Sequence, residues 1–159
     1  MERRSEVPVD HPGVVVPPPL IYIIFLLIGV ALQRFWPLPL LPISVARAMA
    51  TILVVLWVAL QAWSISRFRA SRTSMIPVRP ARALVIEGPY RLTRNPMYLG
   101  LLLLYAGIAC WFGFVWPLIV APVLVWVVNA YVIAREERYL DRKFGEQYRR
   151  YKAQVRRWV

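Results

Sequence analysis

Forty consecutive residues, Asn95 to Ala134, carry no charged side chain; Arg91 and Arg94 stand just before them and Arg135-Glu136-Glu137-Arg138 just after. A helix needs about 20 apolar residues to cross the roughly 30 Å hydrocarbon core of a bilayer, so this run is long enough to cross and return. Gly113 and Pro117 stand near its middle, where a reversal is expected. The run reads as a membrane hairpin. A chain that crosses and returns brings both charged clusters to one face. A site there could hold a charged water-soluble molecule on one side and a lipid-like substrate on the other.

The rest of the chain agrees with a membrane protein. Of its 159 residues 59% are hydrophobic, and the mean hydropathy is +0.52. A soluble domain this short cannot bury so much apolar surface, and the excess must face lipid. Seven Trp and eight Tyr suit interfacial belts. The formal net charge of +12 lies mostly in segments flanking the apolar runs. That is the positive-inside pattern, not a nucleic-acid-binding stripe, so no nucleic-acid partner is expected. Cys110 is the only cysteine and His11 the only histidine. Neither a zinc site of the usual kind nor a His-based triad is therefore expected, and no metal is expected. Arg3 and Arg4 are followed by acids and prolines, so no cleavable signal peptide is expected.

The expected fold is an all-α integral membrane protein, with about four transmembrane helices and a cytosolic amphipathic C-terminal helix. Residues 1–159 form one membrane-embedded domain. Residues 1–19 are an N-terminal arm, 20–65 hold spans one and two, 66–94 form a basic cytosolic connection, 95–134 the helical hairpin, and 135–159 the C-terminal helical segment. Spans one and two cover about Leu20 to Trp36 and Val45 to Ile65, with a turn at Pro37, Pro39 and Pro42. Arg34 and Arg47 can snorkel to the far interface. The connection holds seven arginines (67, 69, 72, 79, 82, 91, 94) against Glu87 alone. The C-terminal segment is also basic, with nine cationic residues against four acids. Both belong on the cytosolic side, and both termini with them. Leu140, Phe144, Tyr148, Tyr151 and Val155 recur at helical spacing and make one apolar face, with Gly145 a point where the helix can bend or end. Gly100 and Gly107 permit close helix approach.

Two clusters carry chemistry. Asn95 is a good N-cap and Pro96 suits the first helical position, so span three starts there. Its free N–H groups beside Arg91 and Arg94 suit an anion. The same residues could merely start a helix and touch lipid phosphate. In the second cluster, the adjacent carboxylates Glu136 and Glu137 point roughly 100° apart on a helix and cannot both face one partner. One can bind a ligand while the other pairs with a basic residue; alternatively both are surface charges. Tyr98, Tyr148 and Tyr151 each offer a ring and a hydroxyl, and would otherwise serve as interfacial anchors.

Taken together, these pieces form a pattern. The sequence Gly88-Pro89-Tyr90-Arg91-Leu92-Thr93-Arg94-Asn95-Pro96-Met97-Tyr98-Leu99-Gly100 resembles the signature of the isoprenylcysteine carboxyl methyltransferase family. So do Glu136-Glu137-Arg138-Tyr139-Leu140, Phe144-Gly145-Glu146-Gln147-Tyr148, Tyr151 and Val155-Arg156-Arg157-Trp158. The resemblance covers roughly residues 84–158, and the related phospholipid methyltransferases share it more loosely. It implies an integral-membrane enzyme using S-adenosylmethionine. It makes Arg94, Asn95, Pro96, Tyr98, Gly100, Glu136 and Glu137 candidate cofactor contacts, with Tyr148, Tyr151 and Arg156 further candidates. Arg94, Asn95 and Glu137 are the candidates for a catalytic role.

One position departs from the pattern. Asn95 stands where eukaryotic members usually carry His, so no imidazole base is available. A carboxylate acceptor tolerates that; an ammonium acceptor must first lose a proton. The acceptor is expected to be amphiphilic or lipid-modified, with an isoprenylcysteine carboxylate nearest the resemblance. A phospholipid, or a small hydrophobic amine or thiol, is the alternative. A non-catalytic membrane scaffold or lipid-binding module is the alternative from another class. No Gly-x-Gly-x-Gly follows a strand pattern, which excludes the soluble Rossmann-type methyltransferase fold.

Overall fold

The computed structural model describes residues 12–39, 41–71 and 83–159. Most of the N-terminal arm with His11, and the part of the basic connection holding Arg72, Arg79 and Arg82, lie outside the described residues. Among those described, every regular element is helical.

Helix α1 spans Pro18–Phe35 and begins at a proline, whose fixed φ suits a first helical turn. Helix α2 spans Ile43–Ala70. At 28 residues it is about 42 Å long and overshoots the hydrocarbon core, carrying Arg67 and Arg69 beyond it. Helix α3 spans Pro96–Phe112 and stops at Gly113, whose φ of 72° is the left-handed conformation of a helix C-cap. Helix α4 follows at Trp116–Val127 and passes through a π-helical stretch, Val128–Ile133, into α5 at Ala134–Phe144. Helix α6, Glu146–Gln154, closes the chain.

Among the described residues, three helices are long and apolar enough to cross a membrane: Pro18–Phe35, Ile43–Ala70 and the continuous Trp116–Phe144. The third span is the short one, as its sequence from Met97 to Phe112, about 24 Å of helix, predicts. Its 17 residues reach about 25 Å, less than a full hydrocarbon thickness. Before it, Thr93 to Asn95 bond to the C-terminal tail instead of adding a helical turn. The expected single C-terminal amphipathic helix is also divided. Gly145, at φ 50°, separates α5 from α6. The apolar stripe survives the break. Tyr148 and Tyr151 are buried with Val85 and Tyr90, and Leu140, Phe144 and Val155 pack around them.

Helix α1 runs antiparallel to α4, and α2 to α3, and polar contacts tie both ends. At the far end, Val115 and Trp116 donate backbone N–H groups to Gln33 Oε1 at the end of α1 (3.1 and 3.3 Å). At the site end, Tyr22 near the start of α1 donates its hydroxyl to the carbonyl of Tyr98 near the start of α3 (2.9 Å). Between them a core of Ile21, Tyr105, Leu124, Val128 and Val132 is closed to solvent, with Val14 of the arm packed into it. Two glycine contacts bring helices close. A Cβ at Gly29 would lie 2.6 Å from Pro117 Cα, and one at Gly107 would lie 3.1 Å from Val54. Ile52, Val55 and Trp126, by contrast, are 60%, 60% and 68% exposed, as lipid-facing side chains must be.

Candidate active site at the start of α3

The segment before α3 is built by hydrogen bonds to the C-terminal tail. Gly88 to Arg91 form a short 3₁₀ turn. Then the backbone N–H of Arg94 donates to the Arg156 carbonyl (2.9 Å), and the Thr93 hydroxyl donates to the Arg157 carbonyl (2.9 Å). Asn95 occupies the N-cap position of α3, but its side chain does not cap the helix. Its amide donates instead to the Arg157 carbonyl (2.9 Å). Thr93 and Asn95 are buried, and these bonds satisfy polar groups that burial would otherwise leave unpaired. Pro96 starts the helix as expected.

The two acids of α5 divide their partners. Glu137 is buried and sits between two arginines. Arg94 Nη2 lies 2.9 Å from its Oε1. Arg157 Nε and Nη2 donate to Oε1 and Oε2 at 3.1 and 2.6 Å, a fork-on-fork pair. Lys152 Nζ stands 4.0 Å away. Glu136 points elsewhere. Its Oε1 accepts a hydrogen bond of 2.5 Å from the Tyr98 hydroxyl. Among the described residues it is the one carboxylate side chain without an ion-pair partner: Glu87, Asp141 and Glu146 each face an arginine, and Glu137 two. The Arg94 Nε, meanwhile, is buried without a hydrogen-bond partner.

The π-helical stretch contributes to this aim. One extra residue in a helical turn rotates everything after it by roughly 100° relative to the preceding helix. Asn129 within it accepts the indole N–H of Trp158 (3.0 Å), which fastens the tail across the site. The hydrogen bond of the Arg157 guanidinium to Glu137 raises its pKa. Burial first, and then the Glu137 charge, push the Tyr148 phenol well above its ordinary value.

Of the ten sequence candidates, Arg94, Asn95, Pro96, Tyr98, Glu136 and Glu137 meet around the first turn of α3. Gly100 lies one turn deeper, against the side chain of Gln61 on α2, which also reaches toward the Met97 carbonyl (3.4 Å). Tyr148 is buried in the neighbouring aromatic cluster. Tyr151 donates its hydroxyl to the Tyr90 carbonyl (2.7 Å) and helps line an open cavity of about 800 Å³ between the 3₁₀ turn and α6, away from Glu136. Arg156 is exposed and gives the site its backbone carbonyl. Arg157, its neighbour, makes the side-chain contact that sequence reasoning did not assign. Thr93, Asn129 and Trp158 were also missed.

The sequence model of the phospholipid methyltransferase family matches residues 45–147, well over half of the chain. The chain belongs to that family. The matched region runs from the start of α2 into α6, and it contains Arg94, Asn95, Tyr98, Glu136 and Glu137. An uncharacterized protein of Haemophilus influenzae is 46% identical over 63 residues, covering 40% of this chain and all of that relative. No solved structure matches the chain. Family and apolar helices together make this member a membrane methyltransferase.

Proposed function

We propose that this family member transfers a methyl group from S-adenosylmethionine to the polar headgroup of an amphiphile at the cytosolic leaflet, with an amine-bearing phospholipid as the acceptor. The observation that carries this reading is Glu136: a carboxylate toward the end of the apolar Trp116–Phe144 helix, oriented by Tyr98 and unclaimed by any described cation. An unneutralised carboxylate so close to hydrocarbon is costly and suits a cationic ligand.

The side chains suit the donor. Arg94 Nε, buried and without a partner, matches a carboxylate such as that of a methionyl group. Glu136 matches the cationic end. Bound there, the cofactor would supply an electrophilic methyl group on a sulfonium sulfur. The protein's part is then alignment and exclusion of water. The Tyr98 hydroxyl holds Glu136 in place. Glu137, clamped by Arg94 and Arg157, fixes the start of α3 against α5. Glu136 can also take the proton that an ammonium headgroup must release before its nitrogen can attack.

A second reading has its own observation. The Asn95 amide is committed to a tail carbonyl and no imidazole stands there. That favours an acceptor already ionised at neutral pH, such as an isoprenylcysteine carboxylate. Purified protein supplied with labelled methyl donor distinguishes them. Vesicles containing phosphatidylethanolamine should yield labelled lipid, and Glu136→Gln should lower the rate by about 10²-fold or more. Label in farnesylcysteine and none in the lipid would favour the second reading. Label in neither would sink both.

A further inference from the structure

A second polar feature lies on another face of α5. Arg135, Arg138 and Arg142 recur at i, i+3 and i+7, which stacks them along one side of the helix. Glu136 and Glu137 project roughly 100° or more from that side. With Pro12 and Gly13 of the N-terminal arm, the three arginines line an open concavity of about 320 Å³. The described residues lining it include no carboxylate. Arg135 is held in position: its Nη1 donates to the Gly13 carbonyl (3.1 Å), and its guanidinium lies 4.2 Å from the ring centroid of Tyr131. Tyr131 belongs to the apolar run and Arg138 to the charged segment, so the concavity opens at the membrane boundary. The continuous helix that carries the arginines also exposes Ile119, Val123 and Trp126, an apolar surface for acyl chains.

We infer that this concavity binds the phosphate of an acidic membrane phospholipid, separately from the methyl-transfer site and whichever acceptor is methylated there. Guanidinium forks match phosphate oxygens in pairs. Basic side chains at this depth are drawn to anionic headgroups. The position of Gly13 makes the arm part of the site: its carbonyl orients Arg135, and the Val14 side chain beside it is buried in the helical core.

The test uses the full chain in detergent and native mass spectrometry to follow retention of phosphatidylglycerol. Arg138→Gln with Arg142→Gln should weaken retention by about thirtyfold, as expected for two lost guanidiniums near a phosphate. Arg138→Lys with Arg142→Lys keeps the charge and should keep most of the binding. Arg149→Gln with Arg150→Gln removes equal charge from α6 and should leave binding unchanged. Dioleoylglycerol, which lacks phosphate, should not be retained. Equal retention by wild type and the Arg138/Arg142 glutamine variant would overturn the inference. So would an equal loss in the α6 variant, which would indicate non-specific charge. Competition by inorganic phosphate at matched concentration would assign the concavity to a soluble anion and overturn the lipid assignment.

Discussion

Arg157 closes on Glu137 through two hydrogen bonds, of 3.1 and 2.6 Å, and so joins the C-terminal tail to α5, at the end of the continuous Trp116–Phe144 helix. Arg94 reaches the same carboxylate from the start of α3 at 2.9 Å. One buried acid thus holds three parts of the chain together. Its geometry is that of an organiser, and it leaves Glu136 as the acid with no described cation beside it.

Glu137→Gln should therefore destabilise the whole protein. Removing one partner of a buried ion pair leaves a charge uncompensated, at a cost of about 3–5 kcal/mol. The Arg157 side chain is 37% exposed and can recover some hydration, so the lower end of that range is expected. A thermal melt in detergent should show a clearly lower Tm than wild type. An unchanged Tm would mean the clamp contributes no stability.

Gly29→Ala should weaken the bundle at the opposite end. The new methyl would lie 2.6 Å from Pro117 Cα, and backbone cannot step aside as a side chain can. Overpacking of this kind costs about 1–3 kcal/mol. Gly100→Ala is the contrast, since its methyl would meet the flexible side chain of Gln61 at 3.1 Å. Melting both variants should show the larger loss at Gly29. The reverse order would contradict the described α1–α4 contact.

The hydrophobic runs were legible because lipid demands long apolar helices, and Gly113 was legible because only a residue tolerant of positive φ ends a helix that way. The tail was harder. Arg156 and Arg157 are adjacent, and which of them turns inward depends on where α6 stops; Val155 is already extended, so neighbouring side chains alternate. Asn95 was placed at the helix start by its cap preference, yet its amide found the Arg157 carbonyl, a partner distant in sequence. The π-helical stretch has no local signature either. Asn129, a lone amide in an apolar run, was the available hint, and its partner Trp158 lies 29 residues away.

Trp158→Phe tests that link. Phenylalanine keeps an aromatic ring but removes the donor to Asn129, leaving a polar group within the helix unpaired at a cost of about 1–3 kcal/mol. Backbone amides of residues 155–159 should exchange hydrogen faster than in wild type. Unchanged exchange there would mean the tail is held without this bond.

Alkaline pH should destabilise the aromatic cluster. Burial is the leading cause that raises the phenols of Tyr90, Tyr148 and Tyr151 above their ordinary value of 10.0. A group whose pKa is raised on folding stabilises the fold fully below its unfolded pKa. Above it, the unfolded chain ionises first and stability falls. The Tm should hold to about pH 9 and drop beyond pH 10. Tyr148→Phe should make that drop shallower. An identical alkaline profile in the variant would show that Tyr148 is not a source of the loss.

The most direct test of the account is a calorimetric titration of S-adenosylhomocysteine into wild type and Glu136→Gln in detergent. Wild type should bind with micromolar affinity. The variant should keep its Tm but bind about tenfold more weakly or worse, as expected for loss of a charge-assisted hydrogen bond. No binding to wild type at millimolar ligand, or equal affinity in the two proteins, would contradict a site formed where α3 begins and α5 carries its paired acids.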